Sequence, residues 1–271
     1  GGIKMEYGFI GGGNMAGAII AGMIKSGVNG GDINVYEKNA ETAENLKTSC
    51  GVNLCLSQKE VTAKSEVIIL GVKPNVLDAI IGSVKDDIGK KRPLVISIAV
   101  GKTIAYLESA LGNGLPIARV MPNINAKALK ATSGYCLNKA AGAEHAEIVE
   151  KIFGSIGTIS EISENLFSVF GAVAGSSPAF AYLYIDTLAR AAQKAGMAKE
   201  EALEIAASTV LGSAEMVLKS GEHPWELVDQ VCSPGGTTIE GIFTLEDNGF
   251  ESTVIKAVDA VLAKDLKIQG K

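Results

Sequence analysis

The stretch Gly8-Phe9-Ile10-Gly11-Gly12-Gly13-Asn14-Met15-Ala16-Gly17-Ala18 constrains this chain more than any other part of it. Met5 to Ile10 is rich in β-formers, Gly11-Gly12-Gly13-Asn14-Met15-Ala16 fits G-x-G-x-x-G/A, and Asn14 to Ile24 continues with helix formers at apolar spacing. A strand, a glycine turn and a helix in that order make the first βα unit of a dinucleotide-binding fold. Gly11 allows the tight turn, Gly13 lets the backbone approach a pyrophosphate, and Ala16 lets the helix lie close on the strand. The anion then rests on the helix N-terminus, where unpaired N–H groups and the macrodipole favour negative charge. A turn that is glycine-rich for steric reasons alone is the competing reading, and the flanking strand and helix favour a cofactor loop over it.

Downstream, strand and helix patterns alternate. Asp32 to Glu37 reads as a second strand, ending where such a fold places the residue that faces the adenosine ribose. Glu37 would accept hydrogen bonds from a 2′-OH and repel a 2′-phosphate, and Lys38 would do the opposite. A solvated Glu-Lys pair at a strand end is the bland alternative. Val52 to Leu56 and Glu66 to Gly71 read as the third and fourth strands, the latter apolar enough to lie inside a parallel sheet. Loops at the carboxyl ends of such strands build the ligand crevice, and in Val72-Lys73-Pro74 a proline at a helix start would aim Lys73 into it, unless Lys73 is simply a solvated loop residue. Leu94 to Ala99 is a fifth strand, leading through Val100-Gly101 to a helix capped by Thr103. Ile117 to Met121 is a sixth strand ending in Pro122-Asn123. Gly134 to Leu137 reads as an antiparallel addition, Ala143 to Gly154 as a helix and Thr158 to Ile162 as the last strand. The alternation specifies a doubly wound α/β sheet over residues 5–162.

From Ser163 the pattern is helical, which places a second domain over residues 163–271. Ser177 to Ala195 carries Asp186, Arg190 and Lys194 four residues apart, one wet stripe on a helix that is otherwise apolar or small. In a domain of about a hundred residues, so narrow a polar face calls for a bundle shared with another chain. Lys199 to Lys219 has the same character. Ser233-Pro234-Gly235-Gly236-Thr237-Thr238 then sets backbone N–H groups and two hydroxyls at a helix start, an arrangement that can seat a carboxylate. An ordinary capped helix start is the alternative. Asn165 to Ile185 carries no charge, and about twenty apolar residues span a bilayer. Gly175-Ser176-Ser177-Pro178 interrupts the run, so two helices meeting at a polar turn are expected instead of a membrane span.

With 271 residues and 47% hydrophobic content the chain can bury two cores. A net charge of -5 with no block of Lys and Arg argues against nucleic acid or an anionic membrane as partner and for a small soluble substrate. Cys50, Cys55, Cys136 and Cys232 lack C-x-x-C spacing and His145 and His223 lie far apart, which leaves little case for a metal site or a disulfide framework. Residues 1–4 precede Met5 and read as a cloning remnant. No charged-then-apolar signal follows, so a cytoplasmic location is expected.

Taken together, Gly8 to Met15, Val72-Lys73-Pro74, Met121-Pro122-Asn123, Gly175-Ser176-Ser177-Pro178-Ala179 and Ser233 to Thr238 resemble the pyrroline-5-carboxylate reductase family over almost the full length. The last motif is the specific one. The resemblance implies a Rossmann-type domain, a helical dimerisation domain, and reduction of 1-pyrroline-5-carboxylate to L-proline by NADPH or NADH, the last step of proline biosynthesis. It implies cofactor contacts from Ile10, Gly11, Gly13, Asn14, Met15, Val72, Lys73 and Pro74, with Glu37, Lys38 and Gln58 toward the adenosine and Ala99 and Gly101 toward the nicotinamide. Glu164, Gln230, Gly236, Thr237 and Thr238 would hold the substrate. The chain departs from the pattern at Gln230 and Gln58, where many relatives carry Asn, and at Val100, customarily Ala.

The chemistry suits a site without an acid–base pair, because an imine becomes strongly electrophilic once its nitrogen is protonated or hydrogen-bonded. Thr238 is the candidate for that hydrogen bond, with Ser233 as a further hydroxyl, and orientation supplies the rest. A homodimer or a multiple of dimers is expected, each active site combining the sheet domain of one subunit with helices of the other. Use of both cofactors is expected, with Glu37 shifting the balance toward NADH. A β-hydroxyacid dehydrogenase shares the Gly-Phe-Ile-Gly opening but needs a lysine acid–base on the first long helix, and Lys194 lies too near that helix's end. A nucleotide-binding protein without turnover is the rival of another class.

Overall fold

The computed structural model describes residues 5–268, so residues 1–4 lie outside it. The chain divides into two compact units, 1–175 and 176–271. The first holds eight strands: β1 (Tyr7–Ile10), β2 (Ile33–Tyr36), β3 (Asn53–Leu54), β4 (Val67–Leu70), β5 (Leu94–Ser97), β6 (Ile117–Met121), β7 (Ala131–Leu137) and β8 (Gly157–Glu161). Its helices are α1 (Asn14–Lys25), α2 (Ala40–Cys50), α3 (Gln58–Lys64), α4 (Leu77–Lys91), α5 (Ile104–Leu111), α6 (Ala143–Gly154) and the short α7 (Phe167–Phe170). The strands lie in the order β3-β2-β1-β4-β5-β6-β7-β8. All pairings are parallel except β6 with β7, the antiparallel addition read from the sequence.

Alternation along the strands builds the two faces. Phe9, Val35, Ile69 and Ile96 point to one side, where Ile19, Ile20 and Met23 of α1 and Val149, Ile152 and Phe153 of α6 cover them. Ile10, Ile68, Leu70 and Val95 point to the other, under Leu77, Ile81, Val84 and Ile88 of α4 and Leu107 of α5. Each such side chain taken out of water contributes roughly 1.5–3 kcal/mol. This is the doubly wound α/β architecture expected. The switch in strand order falls between β1 and β4, where the two neighbours of β1 carry the chain to opposite sides and open a crevice at the carboxyl ends.

Among the described residues the second unit is all helical: α8 (Ser177–Lys194), α9 (Lys199–Ser220), α10 (Pro224–Val231), α11 (Thr237–Asp247) and α12 (Phe250–Ile268). Ala189, Ala202 and Ala206 form its buried centre, where small side chains bring α8 and α9 together. Large apolar side chains stay outside, among them Leu183 at 68% and Leu218 at 84% exposure.

Several boundaries differ from the sequence reading. The edge strand β3 keeps only Asn53–Leu54 in the ladder, because the chain turns at once into the Ser57 cap of α3, leaving Leu56 exposed. Pro74 lies in a turn closed by the Val76 N–H on the Lys73 carbonyl, and α4 begins only at Leu77. The first compact unit runs to Gly175, with Phe167, Ala172 and Ala174 buried. The expected polar turn at Gly175 to Pro178 is absent: Gly171–Ser176 is π-helical and helix continues into α8. Pro178 has no N–H for the carbonyl four residues back, and the side chain of buried Asn123 donates to that Ala174 carbonyl at 2.9 Å instead. Glu164–Lys194 is consequently, among the described residues, the one helical run long and apolar enough to cross a membrane by length and composition.

Candidate active site

The first loop is built by close backbone approach. Gly11 adopts φ +99°, and a Cβ there would stand 2.7 Å from the Gly71 carbonyl oxygen, so the ends of β1 and β4 meet only because this residue has no side chain. At Gly13 an added Cβ would meet nothing within 4 Å, which leaves the space above the start of α1 open. No side chain caps α1 and its first turn holds no acidic residue. Its leading N–H groups therefore present partial positive charge to that space, and the loop fits a pyrophosphate on its own geometry. A cleft of about 510 Å³ beside the loop is lined by Gly12, Gly13, Asn14, Thr42, Asn45 and Ser49.

Glu37, directly after β2, is tied into this loop. One carboxylate oxygen accepts from the Gly12 N–H at 2.7 Å and the other from the Asn39 N–H at 2.8 Å. Lys38 beside it is exposed. Gln58 is the first residue of α3, behind the Ser57 cap.

The loops after β4 and β5 stand at the same edge of the sheet. Val72 is half-buried, Lys73 and Pro74 are exposed, and Gly101 takes φ +78°. Asp78, in the first turn of α4, accepts the Tyr106 hydroxyl proton and lies 3.8 Å from the Lys102 ammonium, which sits 3.9 Å above the Tyr106 ring. This cluster ties the β4 and β5 loops together. Burial, then the hydrogen bond to Asp78 and its charge, push the Tyr106 phenol up to about 12.

In the second unit, the Gly236 N–H donates to the Ser233 carbonyl at 2.9 Å, and Gly235 has φ +67° with Pro234 before it. Proline second and a positive-φ glycine third is the arrangement of a type II turn. The turn delivers the chain to Gly236 as N-cap of α11, with Thr237 and Thr238 exposed in its first turn and no side chain capping the helix. Glu240 follows within that turn, so an anion would depend on the N–H groups ahead of it. Gln230, on α10, donates to Glu222.

Three expected site residues have other engagements. Ile10 is fully buried and its carbonyl accepts from Gly71 N–H at 2.9 Å, so it supports the loop from beneath. Ala99 is buried, with its N–H on the Ser97 hydroxyl. Glu164, expected at the substrate, gives one carboxylate oxygen to both the Ile104 N–H at 2.7 Å and the Arg119 guanidinium at 3.0 Å. It falls in the first compact unit, whereas Gln230, Ser233, Gly236, Thr237 and Thr238 fall in the second. Arg119 was missed from the sequence, although a lone charge inside Ile117-Ala118-Arg119-Val120-Met121 is itself a signal that a buried partner must exist. Among the described residues no cluster of His, Cys, Asp and Glu is placed to hold a metal ion.

Comparison with known proteins completes the picture. Residues 164–268 match the family model described as pyrroline-5-carboxylate reductase dimerisation, and residues 6–101 match the model described as NADP oxidoreductase, coenzyme F420-dependent. The chain is 38% identical over 267 residues to the pyrroline-5-carboxylate reductase of Escherichia coli K12, covering 98% of this chain and 99% of that one. The enzyme of that name from Methanosarcina acetivorans is 38% identical over 259 residues, 94% of each chain. Among solved structures, a pyrroline-5-carboxylate reductase from Coxiella burnetii superposes with a TM-score of 0.93 at 31% identity over 98% of both chains. The Plasmodium falciparum pyrroline carboxylate reductase with NADP bound gives 0.86 at 31% identity, again over 98% of both chains. From its glycine loop to its last helix, this chain belongs to the pyrroline-5-carboxylate reductase family.

Proposed function

We infer that the chain reduces 1-pyrroline-5-carboxylate to L-proline with NAD(P)H, the last step of proline biosynthesis. The observation that carries the reading is a pair of helix starts without side-chain caps, α1 behind the glycine loop and α11 behind the Ser-Pro-Gly-Gly turn. One suits a pyrophosphate and the other a substrate carboxylate.

Bound NAD(P)H would supply the hydride that adds to C5 of the ring C=N bond, while the nitrogen takes up a proton from solvent to become the ring amine. The chain's residues bind and orient. Gly11, Gly13, Asn14 and Met15 line the seat of the pyrophosphate, Glu37, Lys38 and Gln58 face the adenosine half, and Val72, Lys73, Pro74, Ala99 and Gly101 border the nicotinamide half, with Ile10 beneath the loop. The N–H groups of Thr237 and Thr238 hold the substrate carboxylate, with Gly236 as the N-cap that leaves room for it. The Thr238 hydroxyl donates to the imine nitrogen, which drains electron density from C5, and Ser233 and Gln230 complete the polar surround. Glu164 acts through Arg119 and the start of α5. Residues 5–162 form the cofactor domain and 163–271 the helical domain that binds substrate and partner, its first segment packing on the sheet.

Exposed apolar side chains on α8 and α9 support a homodimer or a multiple of dimers, in which the apolar run through α8 faces a protein partner instead of a membrane. The net charge of -5 supports a small-molecule substrate over nucleic acid, and four free cysteines suit the cytoplasm. The test is steady-state oxidation of NADH and NADPH with 1-pyrroline-5-carboxylate. Turnover with proline as product is expected, and nucleotide binding without turnover would overturn the reading.

A further inference from the structure

We propose that Glu37 is a fixed carboxylate that makes this chain discriminate against a 2′-phosphate, so that it binds NAD(H) in preference to NADP(H); the proposal rests on the reductase reading above. A carboxylate at the end of a second strand can in principle rotate into solvent and let a neighbouring lysine approach a phosphate. Here it cannot do so without loss. Its two oxygens are held by separate backbone N–H groups, Gly12 at 2.7 Å and Asn39 at 2.8 Å, and hydrogen bonds to an ionised acceptor are the strong ones. A Cβ placed on Gly12 would come within 3.2 Å of the Glu37 Cβ, so the stem of the side chain is packed against the loop as well. The carboxylate stands as part of the wall at the carboxyl ends of β1 and β2, which lie in register with Ile10 opposite Tyr36.

A second observation points the same way. The helix start that a 2′-phosphate would otherwise use is closed to it. Asn39 caps α2 through its side chain, accepting from the Thr42 N–H at 2.9 Å, and the first turn carries Glu41 while the nearest helical lysine, Lys47, lies in the last turn. A 2′-phosphate, which carries roughly -1.5 to -2 charges, would meet two carboxylates and a helix N-terminus already satisfied. Lys38 is the one cation next to Glu37 in sequence, and an exposed lysine compensates weakly. A ribose 2′-OH, by contrast, can donate to the remaining lone pairs of Glu37. Like-charge contact acts as the repulsive element that specificity requires.

The experiment is calorimetric binding of NADH and NADPH to the full chain, in wild type and in Glu37→Gln and Glu37→Ser. Wild type is expected to bind NADH at least about tenfold more tightly than NADPH. Glu37→Gln keeps an oxygen for the Gly12 N–H and removes the charge, so it should tighten NADPH, weaken NADH a few-fold and bring the ratio to within about threefold. Glu37→Ser should reverse the preference. Thermal melts of both variants check that the loop still folds. Equal affinities in wild type, or an unchanged ratio in Glu37→Gln, would overturn this proposal alone. Failure of wild type to bind either nucleotide would overturn the reductase reading together with it.

Discussion

Arg119 and Glu164 meet at 3.0 Å, the guanidinium buried in the middle of β6 and the carboxylate just ahead of α7. The guanidinium also stacks 4.2 Å above the Phe167 ring, and the same Glu164 oxygen receives the Ile104 N–H at the start of α5. Three places along the chain, residues 104, 119 and 164, are held through one oxygen. Truncating it would leave a buried cation and an unsatisfied helix N–H together. We predict that Glu164→Ala costs about 2–4 kcal/mol, read from urea unfolding, with Arg119→Met recovering part of the loss in the double variant. A variant as stable as wild type would show that the pair contributes nothing and would return Glu164 to a purely substrate-facing role.

Thr238 occupies the first turn of α11 with an exposed hydroxyl. Thr238→Ala is expected to lower turnover with 1-pyrroline-5-carboxylate by roughly ten- to a thousandfold, as for one transition-state hydrogen bond, while NAD(P)H affinity stays nearly constant. Wild-type kinetics in this variant would remove Thr238 from the mechanism.

Tyr182 and Leu183 of α8 are 57% and 68% exposed, on a helix whose buried side chains are Pro178 and Ala189, with Ile185 and Ala192 partly covered. Light scattering should report a dimer or a multiple of it. Leu183→Asp should weaken association by roughly tenfold or more. A folded, active monomer at assay concentration would sink the prediction.

Burial pushes the Cys136 thiol up to about 11, with Glu164 adding to the rise and Arg119 opposing it, and burial raises Cys55 as well, helped by Glu60. These acids hold their protons in the folded chain after the unfolded chain has released them. Their stabilising effect is thus complete below pH 9 and fades as pH rises toward 11, with Tyr106 extending the loss toward 12. Denaturant midpoints across pH 8 to 11 should fall. Iodoacetamide at pH 8 should modify half-buried Cys50 ahead of buried Cys55 and Cys136, and the opposite order would contradict the burial assigned here.

The features legible in the sequence were those whose cause is local. The glycine loop, the βα alternation, the Thr103 cap and the bounds of α6 at Ala143–Gly154 all stand where periodicity and cap chemistry put them, because each is decided within a few residues. The Ser-Pro-Gly-Gly-Thr-Thr helix start was readable for the same reason. What the tertiary structure alone decided is where the long-range polar partners are. Glu37 reaches Gly12 across 25 positions and Glu164 reaches Ile104 across 60, and neither pairing leaves a trace in local pattern. The same holds for Pro178, which reads locally as a helix break, until Asn123, 51 positions from Ala174, supplies the hydrogen bond that the proline cannot. A buried polar group must find a partner, but sequence states only the need, and the packing of the sheet determines which distant residue meets it.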